Sequence, residues 1–162
     1  GLGDVYKRQA YKGIMAMILK NHAMDFISGA EMDFSIYSNE KIDIHHIFPK
    51  DYCVGQHYDK IKWNSIINKT PIAAASNREI GGVAPSAYLK KLEKKGSVSA
   101  DVLDKYVESH WINHVLLRQD AFQDFIIDRA KRLLNAIEKA TGRTISGKDS
   151  DEVIQQFGAS LI

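Results

Sequence analysis

Two adjacent histidines, His45 and His46, are the residues of this sequence whose types and spacing point most directly to chemistry. They stand in the stretch IDIHHIFPK, residues 42–50, where isoleucines alternate with polar residues as they do in a β-strand. Successive side chains of a strand point to opposite faces, so the two rings cannot serve one site in the same way. Either one ring is a packing residue, or the two have different roles.

Two asparagines nine positions apart, Asn68 and Asn77, follow in the stretch NKTPIAAASN. The segment 66–74 predicts a second short strand, with Pro71 at a sheet edge or a strand end. SNREIGG, residues 76–82, predicts a short helix that Ser76 caps at its start and two glycines end. The predicted order is therefore strand, loop, strand and short helix, with a candidate polar ligand on the helix.

These segments resemble the HNH motif of the His-Me finger (ββα-metal) endonucleases. DIHHIFP resembles the first half of that motif, and NKTPIAAASN resembles the second half, whose matching asparagines are also nine residues apart in CRISPR effector nucleases. The segments SNREIGGVAPSAYL and FQDFIIDRAKRLL are similar to the C-terminal nuclease domain of GmrSD-type modification-dependent restriction proteins. The resemblance covers roughly residues 11–141.

The resemblance assigns a role to each residue of the motif. It implies that His46 is the general base and that His45 and Asn77 are ligands of a divalent cation, Mg²⁺ or Mn²⁺. Asn68, grouped with the catalytic residues, would brace the loop between the strands. Asp43, two positions before His45 on the same strand face, is expected to orient His45.

Phosphodiester hydrolysis explains why two unlike histidines would stand together. A water molecule must lose a proton on one side of phosphorus, and a cation must hold the phosphate and leaving oxygens on the other. Neutral histidine, with an ordinary pKa of about 6.5, can accept that proton near pH 7. The family often has aspartate at the position of His45, and imidazole suits Mn²⁺ better than Mg²⁺.

Charge is unevenly distributed along the chain, although the net charge is only +2. Eight basic residues lie between Lys60 and Lys95 against two acidic ones, Glu79 and Glu93. This distribution favours a phosphate-backbone partner, and a solvated helix face is the alternative. The candidate DNA-binding residues are Lys69, Arg78, Lys90 and Lys91.

Two further groups of metal-binding residue types carry weaker signals. Cys53 and His57 together with His45 could bind zinc, although a fourth ligand is not evident. His110 and His114 in HWINH are four residues apart, as metal ligands on a helix often are. They lack the glutamate of a metalloprotease motif, so packing or surface roles are favoured for both.

Length and composition predict one domain. The chain has 162 residues, 44% of them hydrophobic and 26% charged, without an apolar run long enough to span a bilayer. A single cysteine excludes an internal disulfide and favours the cytoplasm. The first nine residues, GLGDVYKRQ, resemble a translated sequencing adapter, so residues 10–162 are expected to be one nuclease domain whose longer parent protein carries an N-terminal nucleotide-dependent domain.

Hydrophobic periodicity predicts helices for most of the remaining chain and a loop over residues 50–62. Ser86 is the expected cap of one of these helices, another is expected to begin at Ser99, and Gly142 ends the strongest one. The predicted helices cover residues 11–28, 86–96, 99–116, 120–141 and part of 149–161. The expected fold is α+β, a mostly helical domain with an embedded two-stranded ββα-metal finger.

The predicted function is divalent-metal-dependent hydrolysis of DNA phosphodiester bonds, in restriction of phage or modified foreign DNA if the family resemblance extends that far. Two alternatives remain: a nuclease acting on RNA or single strands, and a non-catalytic nucleic-acid-binding or zinc-stabilised interaction module. A nuclease needs an exchangeable cation with open coordination positions, whereas an interaction module would close its coordination with Cys53 and His57.

Overall fold

The protein is an α+β domain in which helices surround a small antiparallel sheet, as the sequence predicts. The computed structural model describes residues 2–33 and 42–162. None of the helices in these two ranges is long and apolar enough to cross a membrane. The helices of the described chain are α1 (Leu2–Lys20), α2 (Lys50–Gly55), α3 (Lys60–Trp63), a 3-10 turn (Ile66–Asn68), α4 (Ala74–Ile80), α5 (Pro85–Gly96), α6 (Ala100–Glu108), α7 (His114–Arg118), α8 (Phe122–Thr141) and α9 (Asp151–Phe157).

The sheet pairs β1 (Ile42–His46) with β2 (Lys69–Ala73) in antiparallel register. His45 is opposite Thr70 and His46 is opposite Lys69. Because strand side chains alternate, His45 shares one face with Asp43, and His46 shares the other with Ile42 and Ile44. The two histidines therefore begin on opposite faces of the sheet.

Each face of the sheet is covered by a different hydrophobic cluster. Ile42 and Ile44 pack against buried residues of α1, among them Met15 and Ile18. The opposite face joins the larger core, to which Ile47 and Phe48 after β1, Ile72 of β2 and residues of the helices α4 to α8 contribute. The sheet is thus a thin layer between α1 and the main core, and residues at its ends reach the surface.

The first helix ends earlier than its periodicity predicts. α1 stops at Lys20, and His22 adopts a positive φ of 60°. The carboxylate of Asp25 accepts hydrogen bonds from the backbone N–H groups of Ile27 and Ser28, at 3.1 and 3.0 Å. This local turn competes with helix continuation, which hydrophobic spacing alone does not reveal.

The loop predicted for residues 50–62 is wrong, because α2 and α3 occupy most of it. Asp59 caps α3 by accepting a hydrogen bond from the N–H of Ile61 at 3.0 Å. Cys53 and Trp63 are the buried residues of these two short helices. Each helix buries so few residues that it has no recognisable apolar stripe.

The helix predicted over residues 99–116 is divided into α6 and α7. α6 begins directly after Ser99, close to the predicted start, and Ser99 caps it by accepting from the N–H of Val102 at 3.3 Å. The helix ends at Glu108 because His110 turns inward to hydrogen-bond Thr70 and Met24, and Trp111 then takes a positive φ of 57°. His110 and His114 therefore do not share a helix face, and His110 is a buried core residue.

Two predicted caps are also replaced. α4 begins at Ala74, so Ser76 lies inside the helix and donates to Asp25 at 2.7 Å. α5 begins at Pro85, and Ser86 instead binds the carboxylate of Asp120 through its N–H and hydroxyl groups. Two of the predicted glycine stops are confirmed, since Gly81 and Gly142 follow α4 and α8 with positive φ angles.

Candidate functional site

His45 and Asn77 meet although they are 32 residues apart in sequence. Nδ1 of His45 on β1 lies 3.1 Å from Oδ1 of Asn77 on α4. The amide nitrogen of Asn77 donates to Oδ2 of Asp43 at 3.2 Å. A carboxylate only accepts hydrogen bonds, so this contact turns the amide oxygen of Asn77 toward His45.

Asp43 therefore orients Asn77, and not His45 as the strand alternation predicts. The reason lies in the position of α4, which places the Asn77 amide between the Asp43 carboxylate and the His45 ring. Asp43 would therefore support the candidate cation site by orienting Asn77 and not by orienting His45.

The His45 ring is buried and held neutral. Only 3% of the residue is exposed, and burial lowers its pKa to about 3, with the nearby His46 lowering it and the Asn77 hydrogen bond opposing the shift. Rings of Phe26 and Tyr88 meet it edge-on at 6.3 and 5.8 Å between centroids. Because the Asn77 amide oxygen only accepts hydrogen bonds, Nδ1 of this neutral ring is the donor in the observed contact, and Nδ1 would bind a cation only as the other neutral tautomer, with the proton on Nε2.

The donors of His45 and Asn77 fit a divalent cation. Two ligands in adjacent octahedral positions about 2.1 Å from one ion are about 3 Å apart. The observed separation of 3.1 Å agrees with that spacing. The neutral nitrogen and amide oxygen bring no negative charge, which suits a weakly held ion, and the imidazole favours Mn²⁺ over Mg²⁺.

His46 lines the same pocket as His45 and Asn77 despite starting on the other sheet face. The pocket has a volume of about 330 Å³ and opens to solvent. Nε2 of His46 lies 3.2 Å from Oδ1 of Asn64, and the Trp63 ring meets the imidazole edge-on at 5.8 Å. The pocket is lined by Ile44, His45, His46, Pro49, Lys50, Asp51, Asn77, Gly81 and Gly82.

The surroundings of His46 favour its neutral form. Partial burial lowers its pKa, the cationic groups of Lys69 and Lys50 lower it further, and the hydrogen bond to Asn64 opposes them. The direction of the shift keeps most of the side chain unprotonated near pH 7. The imidazole can therefore accept a proton from a molecule in the pocket.

Asn68 lies beneath the pocket and does not line it. The residue is fully buried, and its Oδ1 accepts from the N–H of Phe48 at 2.8 Å. Its Nδ2 donates to the carbonyl oxygens of Phe48 at 3.0 Å and Trp63 at 2.8 Å. These bonds join the end of β1 to the segment before β2, as predicted for the loop brace, and place Asn68 away from any reacting group.

Arg129 is a buried residue of α8 that the sequence analysis missed. Its guanidinium donates to the carbonyl oxygens of Ile67 at 2.6 Å, Lys69 at 2.7 Å and His110 at 3.2 Å. Complete burial lowers its pKa to about 9. Arg129 thereby holds the 3-10 turn that carries Asn68. Its position within the apolar stripe of α8 is the feature of the sequence that could have indicated that it is buried.

Asp25 is a second missed residue, and it supports the helix that carries Asn77. It accepts from the N–H of Ala73 at 2.9 Å and from the hydroxyl of Ser76 at 2.7 Å. Burial acts to raise the pKa of this carboxyl, but hydrogen bonds from Ser28, Ser76, Ala73 and Ile27 together hold it below its ordinary value. An ionised buried carboxylate thus fixes the junction of β2 with α4.

The predicted DNA-binding residues do not all gather at the pocket. Lys69 is paired with His46 in the sheet, and its Nζ lies 5.9 Å from the centre of the Tyr11 ring. Nζ of Lys91 donates to the carbonyl of Ile80, next to the pocket residue Gly81. Arg78 and Lys90 are exposed and are not among the pocket-lining residues.

Lys50 is a pocket residue that the sequence analysis did not include among the phosphate contacts. It begins α2 directly after the motif proline, Pro49, and lowers the pKa of His46 through its charge. Its place before the predicted basic stretch explains why charge counting omitted it. Lys50 lines the pocket, whereas Lys69, Arg78, Lys90 and Lys91 are not among its lining residues.

The alternative zinc site of Cys53, His57 and His45 receives no geometric support. The Cys53 thiol is buried, donates to the carbonyl of Phe48 at 3.4 Å and has a pKa raised by burial to about 12. His57 is exposed, and His45 faces Asn77. Across residues 2–33 and 42–162, no group of three or more His, Cys, Asp or Glu residues is placed to hold a metal ion.

Comparison with known proteins gives one informative relative. No family model matches the chain. In an alignment of 110 positions that covers 64% of the chain, the sequence is 32% identical to an uncharacterised protein of Methanocaldococcus jannaschii, and the match spans 18% of that protein. No solved structure matches the chain. The similarity shows that a sequence related to part of this chain occurs within a much longer archaeal protein.

Proposed function

We propose that this chain is an HNH-type endonuclease domain that hydrolyses phosphodiester bonds of DNA with a divalent cation. The observation that carries the proposal is the meeting of His45 with Asn77 at 3.1 Å, on the pocket that His46 also lines. The three residues come from separate halves of the motif. Their convergence is what a shared reaction centre requires and what unrelated packing residues would not need.

In the proposed reaction His46 is the general base. Its neutral imidazole takes one proton from a water molecule, the resulting hydroxide forms a bond to phosphorus, and the bond from phosphorus to the leaving oxygen breaks. His45 and Asn77 would hold the cation. A bound divalent cation supplies stabilisation of the negative charge on the phosphate and leaving oxygens.

The cationic residues around the pocket support a nucleic-acid substrate. Lys50 lines the pocket, Lys69 is beside His46, and Lys91 lies at the Gly81 edge. Arg78 and Lys90 extend positive charge over the neighbouring surfaces of α4 and α5. Contacts of this kind position a phosphate backbone without reading its sequence.

The biological setting of the proposal comes from the motif resemblance alone. The resemblance to GmrSD-type nuclease domains favours a role in restricting phage or modified foreign DNA, in a protein with a further nucleotide-dependent domain. The chain spans about a fifth of the archaeal relative's length. The remaining domains would then supply target choice, for which the described residues offer no base-reading group.

A plasmid-nicking assay tests the proposal. The full chain is incubated with supercoiled plasmid and Mn²⁺, Mg²⁺ or EDTA, and we expect nicking with a cation, strongest with Mn²⁺, and none with EDTA. His46→Ala should lose on the order of 10² to 10⁴ in rate with an unchanged helical circular dichroism spectrum. Full activity of that variant would remove His46 from the mechanism.

Parallel substrates separate the alternatives. Single-stranded DNA and RNA of matched length are tested under the same conditions, and a preference for either would reassign the substrate. Binding of DNA without cleavage under every cation would contradict the nuclease and favour an interaction module. His57→Ala, which changes an exposed histidine outside the pocket, is the matched control for the loss of a histidine.

A further inference from the structure

We propose that Asn64 is a positioning residue for the base, holding neutral His46 in the tautomer with its proton on Nε2, so that Nδ1 is the atom that takes the proton from water. The inference rests on the proposed function and goes beyond the motif, since Asn64 lies outside both motif halves. It assigns a role to a residue of α3 and a reacting atom to His46.

The contact between Asn64 and His46 is the first observation that supports this role. Oδ1 of Asn64 lies 3.2 Å from Nε2 of His46. An amide oxygen can only accept a hydrogen bond, so the imidazole proton belongs on Nε2. A neutral imidazole has one protonated nitrogen, and therefore Nδ1 carries the lone pair. Among the described residues no side chain or backbone group hydrogen-bonds that Nδ1.

The second step is that the ring is held from two directions. Trp63, the residue before Asn64, meets the imidazole edge-on at 5.8 Å with an interplanar angle of 63°. Consecutive residues at the end of α3 thus provide a packing contact and a hydrogen bond to one ring. Rotation of the imidazole would lose both contacts together, which restricts the direction of the free lone pair.

The third step is that the segment bearing Asn64 is itself anchored. The Asn64 N–H donates to the carbonyl of Lys60 at 2.9 Å, and Asn68 donates to the carbonyl of Trp63 at 2.8 Å. Asn68 is also bonded to Phe48 in the residues that follow β1. The buried Asn68 therefore connects the base-bearing strand to the segment that orients the base.

Water, His46 and solvent account for every proton that moves in the proposed step. The water proton moves to Nδ1, giving an imidazolium whose Nε2 proton remains donated to Asn64. The hydroxide oxygen bonds to phosphorus, and the imidazolium can return its proton to solvent after the leaving oxygen departs. The amide of Asn64 is unchanged throughout, which makes it a positioning residue and not a catalytic one.

The tautomer can be measured directly and without catalysis. Long-range proton–nitrogen NMR correlations of the ¹⁵N-histidine-labelled full chain at pH 8 distinguish Nε2–H from Nδ1–H, with His46→Gln used to assign the signal. We expect Nε2–H in the wild-type chain and a mixed or Nδ1–H signal in Asn64→Ala. Asn64→Asp keeps an accepting oxygen and should retain Nε2–H.

The nicking assay provides the kinetic readout. Loss of an orienting partner of this kind typically costs about 10- to 100-fold, and we expect Asn64→Ala to lose that much in kcat with KM for plasmid within about twofold. Asn64→Asp should recover most of the loss. Gln155→Ala, which removes an exposed amide on α9, is the control and should match the wild-type chain.

The outcomes separate this inference from the proposed function. Nδ1–H in the wild-type chain, or Asn64→Ala with unchanged tautomer and unchanged kcat, overturns the role of Asn64 while leaving the nuclease in place. Absence of nicking by the wild-type chain under every cation overturns the proposed function and, with it, the role of Asn64 in positioning a base. Tautomer and kcat changing together in Asn64→Ala, with recovery in Asn64→Asp, supports both.

Discussion

At the scale of single residues, His45 and His46 differ in what each ring contacts. His45 is enclosed by aromatic rings and opens only toward Asn77, whereas His46 is half-buried and lies between Lys69, Lys50 and Asn64. The same residue type is therefore suited to cation binding in one position and to proton transfer in the next, because the two strand faces offer different neighbours.

Replacing the proposed ligand should change the metal dependence more than the fold. We expect His45→Ala to require a higher Mn²⁺ concentration for half-maximal nicking, with partial recovery as Mn²⁺ is raised, because Asn77 still offers its oxygen. Titration of nicking rate against Mn²⁺ measures this. An unchanged midpoint, with His57→Ala as the reference, would show that His45 does not bind the cation.

Removing the buried amide of Asn68 should chiefly lower stability. Asn68→Ala leaves the N–H of Phe48 and the carbonyls of Phe48 and Trp63 without their present partner. The Phe48 carbonyl keeps a hydrogen bond from the Cys53 thiol, so two buried groups lose their partner. Each costs about 1–3 kcal/mol, and we expect a loss of roughly 2–6 kcal/mol in the free energy of unfolding. Urea denaturation measures it, and Asn135→Ala on the exposed side of α8 should change little.

At the scale of elements, the site depends on short segments held by distant buried groups. The 3-10 turn Ile66–Asn68 has few residues of its own to bury, and Arg129 of α8 bonds the carbonyls on both sides of Asn68. Asp25 acts in the same way at the start of α4. Helix α8 and the segment after α1 therefore position the motif without contributing to it.

Replacing Arg129 should affect stability and activity together. Arg129→Met keeps a long side chain and removes the hydrogen bonds to the carbonyls of Ile67, Lys69 and His110. Hydrogen bonds from a charged donor are worth about 1.5–3 kcal/mol each, and we expect a net loss on the order of 3 kcal/mol because the cost of burying the charge is also removed.

Lys131→Met, which removes an exposed charge two positions away on the same helix, is the control for Arg129→Met. Comparable midpoints of thermal unfolding for the two variants would contradict the bracing role of Arg129. A lower nicking rate for Arg129→Met at a temperature where both variants are folded would show that the hydrogen bonds of Arg129 help to position the residues of the pocket.

At the scale of the whole molecule, the pH dependence of stability reflects two buried histidines, the pocket residue His45 and His110, whose hydrogen-bond partner Thr70 is opposite His45 in the sheet. His110 is fully buried between Thr70 and the Met24 carbonyl, and burial lowers its pKa to about 4. The unfolded chain binds a proton at His110 near pH 6.5 and the folded chain does not until about pH 4. Stability is therefore lost as pH falls through this interval.

We expect His110 to contribute about 2 kcal/mol of destabilisation between pH 7 and pH 5. Urea denaturation at both pH values measures the loss, and His110→Gln should show correspondingly less pH dependence than the wild-type chain, whatever its stability at pH 7. His57→Ala should keep the wild-type dependence. If the stability of His110→Gln depends on pH as strongly as that of the wild-type chain, the pKa of His110 is not lowered in the folded state.

The predicted foreign segment offers a second test at this scale. Residues 1–9 fall largely within α1, and Arg8 and Gln9 are exposed. If these residues have no evolved partners, deleting them should change the free energy of unfolding by no more than about 0.5 kcal/mol. A loss of several times that amount would show that the segment belongs to the fold.

The sequence by itself determined the parts of this protein that have a local signature. The alternation of IDIHH predicts β1, the pattern of SNREIGG predicts the short helix that carries Asn77, and Gly142 marks the end of α8, whereas Asn68 falls in the predicted strand 66–74 and lies in a 3-10 turn. These features follow from backbone preferences and side-chain periodicity, which act within a few residues. The α+β class follows from the same signals.

Only the tertiary structure decided which polar groups meet. Asn64 reaching His46, Asp43 turning Asn77 and Arg129 bracing the 3-10 turn join residues separated by 18, 34 and 62 positions. Such pairs depend on how helices pack around the sheet. The sequence around a buried polar residue has no periodic pattern that identifies its hydrogen-bond partner. The early ends of α1 and α6 have the same cause, because Asp25 and His110 form hydrogen bonds within the core that outweigh further helix turns.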